Sequence, residues 1–415
     1  MAEPILSREE GGPAPEFWSQ FFRQQAEANV RFWLDRIASY GDADVLLNQE
    51  RDSVLKAMLR AFQLGSAWQE AADLMIVCHR YMEWHGAWID WQWLLELGLE
   101  VSRQRGDTRR EAAILDRLGD LKRNRGEWLA AVECHEKARR LSERIGDRAG
   151  RARALASLGH VYRLQRRYAE SEQVLAESQR IYRALENRIG QAAVHTNLGT
   201  VYIDQGRWDE ALASFHAAYA MSADEKDDAG MARAQHNLGI IYRVQGTMVE
   251  AESSLRAAID LYTEMHAHYY RAVAALDLGN VYLKSGRPAE AETLYREAQE
   301  GIQDAGSFRG QAQVLNNLGM ACAQQGKWAL AEDSFERSIA LWQQLGEPVG
   351  QANAEDNLAE AYLDQEKWAA ALEVLHRARQ RLAGLEPTPR IEKLLGDVDE
   401  HLEMATRGLD EHQRR

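Results

Sequence analysis

Asparagine recurs along the chain at a constant spacing, which makes it the first candidate for ligand binding. Four asparagines fall in one column of residues 40 apart: Asn197, Asn237, Asn317 and Asn357. Asparagine is a poor helix former, so its recurrence inside helical segments indicates a hydrogen-bonding purpose. An amide side chain has two donors and an acceptor carbonyl, so a row of amides can bind the backbone of an extended peptide. The alternative is that these amides bond to neighbouring segments or face water.

Charged residues in the adjacent columns change in sign along the chain. Arginines predominate in residues 111–270, whereas acidic residues predominate in 271–390. Such a gradient would orient a bound peptide more than it would tighten binding. A solvated charge pattern without a function is the alternative. The residues that we predict to line a binding surface are Asn197, Asn237, Asn317, Asn357, Arg163, Arg243, Asn280, Lys284, Asp204 and Glu360.

Catalytic motifs are absent from the sequence. It contains no GxSxG, HExxH, GxGxxG or GxxxxGK[ST] motif. His266 and His268 are the one close histidine pair, and they fall between repeats, where polar residues are expected. His135 stands in a column where the next repeats have Leu175, Phe215 and Leu255, which predicts a partly buried structural histidine. We therefore expect no enzymatic activity, no metal ion and no cofactor.

Composition limits the class of partner. The 415 residues include 64 acidic and 50 basic side chains, giving a net charge of −14. This argues against nucleic-acid binding and against binding to anionic membranes, both of which need clustered basic residues. No apolar run is long enough to span a bilayer and the start does not resemble a signal peptide, so we expect a cytoplasmic protein. The cysteines, Cys78, Cys134 and Cys322, are widely spaced and predicted to be core residues rather than disulfide partners.

The elements that carry these residues follow from an internal repeat. Leu-Gly occurs at 118, 158, 198, 238, 278 and 318, and Leu358-Ala359 continues the series. Apolar residues follow each dipeptide at helical spacing, break at a Gly- or Asp-containing turn, and resume. No proline occurs between residues 16 and 287, which is typical of helices joined by short turns. Each 40-residue unit is thus predicted to be a helical hairpin.

The repeat resembles the tetratricopeptide repeat (TPR), whose pattern is Leu-Gly-x-x-Tyr in the first helix and small and large apolar residues in the second. The tyrosine column is Tyr162, Tyr202, Tyr242, Tyr282, Cys322 and Tyr362. The length of 40 residues is similar to the repeats of kinesin light chains and Leu-Gly-Asn-repeat polarity adaptors. The resemblance implies an all-α, right-handed superhelix (an α-solenoid) with a concave groove lined by the first helices. It also implies that groove asparagines hold a peptide.

Four regions are expected along the chain. Residues 1–15 form a flexible tail, 16–70 a Trp-rich helical cap, 71–390 an array of eight repeats, and 391–415 a capping helix and tail. The stretch around residues 50–55 also resembles the segment that precedes the TPR sensor in bacterial STAND-type regulators. No phosphate-binding loop is present, so a nucleotide switch would have to lie on another chain.

The predicted function is that of a non-catalytic scaffold that binds a peptide or a partner protein in the groove. The alternative is a regulatory sensor subunit, similar to a STAND TPR arm, that controls a separate effector. A third interpretation is self-association through the Trp-rich N-terminal region. Trp84, Trp88 and Trp91 have helical i, i+4, i+7 spacing and would form an interface or, as we favour, the core of the cap.

Overall fold

The computed structural model describes residues 15–39, 43–84, 88–304 and 307–414, and in these residues every regular element is an α-helix. The predicted tail up to residue 14 and residues 85–87 lie outside this description. The all-α class is therefore confirmed. The helices are α1 Pro15–Ser39, α2 Ala43–Leu64, α3 Trp68–Trp84, α4 Trp88–Gln104, α5 Thr108–Asn124, α6 Trp128–Arg144, α7 Arg148–Leu164, α8 Tyr168–Ala184, α9 Arg188–Asp204, α10 Trp208–Asp224, α11 Asp228–Gln245, α12 Met248–Glu264, α13 His268–Lys284, α14 Pro288–Asp304, α15 Phe308–Ala323, α16 Trp328–Leu345, α17 Pro348–Asp364, α18 Trp368–Ala383 and α19 Pro389–Arg414.

The turns recur every 20 residues and have one backbone conformation. Gly146 has φ of +72°, and the following Asp147 accepts a hydrogen bond from the Gly150 N–H at 2.9 Å, which caps α7. Left-handed backbone is found at the same register throughout: Gly106, Gly126, Gly146, Arg166, Glu186, Gly206, Lys226, Gly246, His266, Gly286, Gly326, Gly346 and Glu366. Several of these are not glycine, so the register of the turn is set by the helices on both sides as well as by the turn residue.

Helices α3 to α18 form eight consecutive helix pairs, which we divide into first helices (odd numbers) and second helices (even numbers). Within a pair, the Leu-Gly glycine of the first helix lies against a large side chain of the second. A Cβ added to Gly239 would lie 2.5 Å from Leu255 Cγ, and one added to Gly199 would lie 2.6 Å from Phe215 Cε1. Glycine is required here because the side chain from the second helix occupies the place of a Cβ.

The chain divides into two compact units. The first comprises residues 1–83 and 88–190, and the second comprises residues 84–87 and 191–415. In the first unit, α1 packs on α2, and Val30, Trp33, Met58 and Phe62 are buried. In the second unit, one continuous apolar cluster extends from Ala251 to Ala405. All three cysteines are buried and unpaired, as predicted.

First helices contact one another along each unit. In the second unit, α11 contacts α13, α13 contacts α15, α15 contacts α17, and α17 contacts α19, whereas the described parts of the second helices make no comparable contacts with each other. The first helices are therefore the more closely spaced row. We call the surface that they present the first-helix face, and define it by the column of Asn237, Asn317 and Asn357 and its neighbours on the same helices.

The N-terminal tryptophans are only partly described. Trp91 is 1% exposed and donates its Nε1–H to His79 Nδ1 at 3.1 Å, so it is a core residue. The side chains of Trp84 and Trp88 lie outside the described residues. Trp93, in contrast, is 52% exposed. Self-association through this region stays a prediction.

Candidate functional site

The asparagine side chains of the second unit are hydrogen-bonded within the protein. Asn237 donates to the Arg233 carbonyl, one turn earlier on α11, at 2.8 Å. Asn317 on α15 donates to Asn280 Oδ1 on α13 at 2.7 Å, and Asn357 on α17 donates to Asn316 Oδ1 on α15 at 3.0 Å. The last two bonds connect successive first helices. Part of the hydrogen-bonding capacity of Asn317 and Asn357 is thus used to set the spacing of the face.

Asn280 is the centre of one of these connections. Its Oδ1 accepts from the Tyr295 hydroxyl at 2.9 Å as well as from the Asn317 amide. Tyr295 is the large residue that faces Gly279, so the amide also holds the packing residue of its own pair. Burial is the main cause that raises the pKa of Tyr295, and its hydroxyl therefore stays a donor at neutral pH.

Charged side chains connect the same helices. His236 Nε2 on α11 lies 2.8 Å from Asp277 Oδ2 on α13, and Lys284 donates to the Arg243 carbonyl at 3.3 Å. Further along, His401 Nδ1 on α19 lies 2.8 Å from Asp356 Oδ1 on α17. Asp277 and Asp356, two acidic residues of the later columns, thus bond to histidines on neighbouring helices.

The first unit contains a buried network of carboxylates on α5 and histidines on α3 and α6. Asp116 is 2% exposed and lies 2.9 Å from both His135 Nδ1 and Arg153 Nε. Asp120 is 8% exposed and accepts from Arg123 Nη1 at 2.8 Å. Such carboxylates are tolerated in a core only when opposite charges and hydrogen bonds compensate their lost hydration.

The network lowers the pKa of both carboxyl groups. Burial raises the pKa of Asp116, but the hydrogen bond from His135 and the charge of Arg153 outweigh it, so the net shift is downward. Burial opposes ionisation of Asp120 in the same way, and Arg123 with His79 lowers its pKa below the ordinary value. Both side chains are therefore anionic at neutral pH.

Two buried histidine nitrogens in the network have no hydrogen-bond partner in the described structure. They are His79 Nε2, 3.8 Å from Asp120 Oδ2, and His135 Nε2, 3.9 Å from Asp120 Oδ1. Because His79 Nδ1 accepts from Trp91, a neutral His79 carries its proton on Nε2, which disfavours metal binding there. In the described part of the chain, no group of three or more His, Cys, Asp or Glu side chains has the arrangement of a metal site.

A cavity of about 350 Å³ opens where α15, α17 and α19 come together. Its wall includes the predicted residue Asn317 together with Asn316, Gln313 and Asn353. Its remaining lining residues are Arg309, Trp342, Glu347, Val349, Gly350 and Arg390. Of the ten residues predicted from the sequence, only Asn317 lies in this cavity.

The other predicted residues are distributed over both units. Arg163, in the first unit, lies 3.3 Å from His160 Nε2 through Nη2. In the second unit, Asn197 and Arg243 are half-buried, whereas Asp204, Lys284 and Glu360 are exposed. Although Glu360 is exposed, partial desolvation raises its pKa. The charge of Asp364 acts in the same direction, and the charge of His401 opposes it.

Sequence reasoning missed Asp116 and Asp120 as a buried pair, and it missed Arg309 and Arg390. For the first pair a signal existed, because His135 in a leucine column requires a polar partner nearby. Arg309 and Arg390 lie in the first turns of α15 and α19, outside the columns that adjoin the asparagines.

A family model described as tetratricopeptide repeat matches residues 110–184, 190–264, 230–304 and 310–383, which is more than half of the chain. The chain therefore belongs to the tetratricopeptide repeat family, and its fold is an all-α TPR solenoid. TPR arrays act in general as protein-interaction scaffolds. No curated protein sequence matches the chain.

Solved structures with the same fold are distant in sequence. A STAND ATPase with a tetratricopeptide repeat sensor from Pyrococcus horikoshii has a TM-score of 0.62 and 13% identity, covering 95% of this chain and 56% of that one. A Rap protein in complex with competence and sporulation factor has a TM-score of 0.58 and 13% identity, covering 91% and 99%. Aspartyl phosphate phosphatase F from Bacillus subtilis has a TM-score of 0.51 and 16% identity, covering 91% and 97%. This chain thus spans about half the length of the STAND protein.

Every helix in the described part of the chain is too short or too polar to cross a lipid bilayer.

Proposed function

We propose that the protein is a non-catalytic scaffold that binds an extended peptide segment, or an extended part of a partner protein, along the first-helix face. The observation that supports this most directly is the continuous row of ordered amides on α11, α13, α15 and α17. The Asn280 amide bonds within the protein through both its oxygen and its nitrogen. The described bonds of Asn237, Asn317 and Asn357 leave each of these amides further donor or acceptor capacity for a ligand. The likeness to a Rap protein in complex with competence and sporulation factor agrees with this function at the level of the fold.

The asparagines would have two functions in this proposal. Asn317 and Asn357 hold neighbouring helices through their donors, which fixes the distance between successive amides. Their remaining groups would then meet a peptide backbone at regular intervals. A preorganised row of this kind binds without paying the entropy of ordering its own side chains.

Asn237→Ala is the substitution that tests this proposal, because the Asn237 amide bonds only within its own helix in the described contacts. Alanine is the better helix former, so folding should be preserved. Binding to an end-blocked random peptide array should weaken by about 1–3 kcal/mol for a lost buried hydrogen bond. The control is Glu250→Ala, at an exposed position of the second helix α12. Equal binding by both variants would remove the amide row from the proposal.

The alternative is a sensor subunit that controls an effector on another chain. It is supported by the fold likeness to the STAND protein with a TPR sensor, of whose length this chain covers 56%. A sensor and a scaffold differ in the effect that ligand binding has on other proteins. In a sensor, the ligand should change the activity of a co-purifying effector, whereas in a scaffold it should change only co-localisation of partners. Affinity purification followed by an effector assay with and without peptide distinguishes the two.

A further inference from the structure

The cavity between α15, α17 and α19 has a lining that differs from the rest of the late first-helix face. The columns beside the asparagines in this part of the sequence are mainly acidic, yet the cavity contains two arginines and one glutamate. Arg309 pairs with Glu347. Arg390 is exposed and has no carboxylate partner among the described residues. The cavity therefore has an unmatched positive charge.

The Trp342 ring, which lines the cavity, contacts Arg309. Arg309 Cζ lies 5.7 Å from the centre of the Trp342 ring, at a distance suited to a cation–π contact. The ring is accessible from the cavity because residue 350 is glycine: a Cβ there would lie 2.6 Å from Trp342 Cδ2. Arg309 thus has both its ion pair and its ring contact without a ligand, and Arg390 is the group left to bind one.

We propose that this cavity binds the side-chain carboxylate of an aspartate or glutamate in a peptide held on the first-helix face. The inference rests on the proposed peptide-binding function and names one side chain of the peptide. Arg390 would bind the carboxylate directly. Gln313 and Asn353, on α15 and α17, would donate to its second oxygen or to the adjacent peptide group.

Other side chains fit the lining less well. An apolar side chain would cover amides and guanidinium groups without satisfying them. A lysine or arginine would be repelled by Arg309 and Arg390. A neutral amide would satisfy the asparagines but leave the charge of Arg390 unmatched. The volume of about 350 Å³ is enough for a side chain together with ordered water, which suits a partly hydrated carboxylate.

The test uses the full chain and three pools of acetylated and amidated nonapeptides, random except for a central Glu, Gln or Lys. We expect binding in the order Glu, Gln, Lys. Arg390→Gln should reduce the preference for Glu over Gln by roughly threefold to tenfold, because a charge-assisted bond at a solvent-exposed site is lost. It should change binding of the Gln pool less than it changes binding of the Glu pool. Arg407→Gln, at another exposed position of α19, is the matched control and should have no effect.

A second variant gives the opposite sign. Glu347→Gln removes the carboxylate that pairs with Arg309, so it should increase the preference for the Glu pool. This result cannot come from unfolding, because a loss of structure would lower all three signals together. Circular dichroism of each variant verifies that the helical content is retained.

The outcomes separate the inference from the function on which it rests. If no pool binds, both are overturned. If the pools bind equally, or if Arg390→Gln and Glu347→Gln leave the preference unchanged, the carboxylate site is overturned and the scaffold function stands. The same three pools with free C-termini test whether the cavity binds the terminal carboxylate of a peptide instead of a side-chain carboxylate. A preference for Glu that appears only with a free terminus would assign the cavity to a chain end and overturn the side-chain proposal.

Discussion

His135 shows how one residue changes the chemistry of a repeat. It faces Gly119, where the corresponding pairs place Leu175 against Gly159 and Leu255 against Gly239. The imidazole fills the same space as leucine but adds two nitrogens, and one of them bonds to the buried Asp116. The arginine that completes this interaction comes from the next first helix, α7. A single polar residue in an apolar column has therefore brought charged partners into the core.

We predict that His135→Leu destabilises the first unit by about 2 kcal/mol, although leucine fits the space. The reason is that one oxygen of a buried carboxylate loses its partner. Urea unfolding measures the change, with His216→Leu, at an exposed histidine, as the control. A more stable variant would mean that desolvation of the His135–Asp116 pair costs more free energy than the interaction between the two side chains contributes.

At the scale of elements, helix α19 covers the end of the array and contacts both α17 and α18. Its His401 bonds to Asp356 on α17, and that hydrogen bond is the main cause that raises the pKa of His401. The charges of Glu360 and Glu400 act in the same direction, and burial opposes them. Docking of the capping helix is therefore coupled to protonation.

A pKa that is higher in the folded than in the unfolded state gives stabilisation that is complete below the unfolded value, about 6.5 for histidine, and is lost as pH rises through the folded value. We predict that α19 is better protected from hydrogen exchange in the wild type than in His401→Gln at pH 6, by on the order of 1 kcal/mol. The difference should become smaller as the pH rises from 6 to 8.5, because the stabilisation is lost as His401 deprotonates in the folded state. Comparing the two proteins at the same pH cancels the intrinsic exchange rates. A difference that is constant with pH would assign the effect to packing.

At the scale of the whole molecule, stability in a repeat array is the sum of local terms, because each helix pair contacts mainly its neighbours. The division into two compact units agrees with this, since each unit has its own buried residues. A local defect in one unit should therefore leave the other intact.

Gly239→Leu tests this locality. The added side chain would displace Leu255, so we predict a loss of a few kcal/mol through overpacking. Hydrogen exchange should increase in α11 to α13 and stay unchanged in α5 and α6. Gly396→Leu is the matched control, because no atom lies within 4 Å of the Cβ position there. An increase along every helix would indicate a single cooperative globule.

The sequence by itself determined the helices, their pairing and the family. These features depend on local signals, such as the 40-residue spacing of Leu-Gly and turns like that at Gly146, and the helix ends follow from them within a few residues. The buried state of Cys78, Cys134 and Cys322 could also be predicted, because each stands in a packing column.

Only the tertiary structure decided which side chains meet. The bonds from Asn317 to Asn280 and from Asn357 to Asn316 join residues 37 and 41 apart, and they depend on the angle at which one helix pair packs on the next. That angle is set by the volumes of many core side chains together and cannot be derived from a column. The cavity at Arg390 has the same origin, since it requires three helices to converge over Gly350 and Trp342.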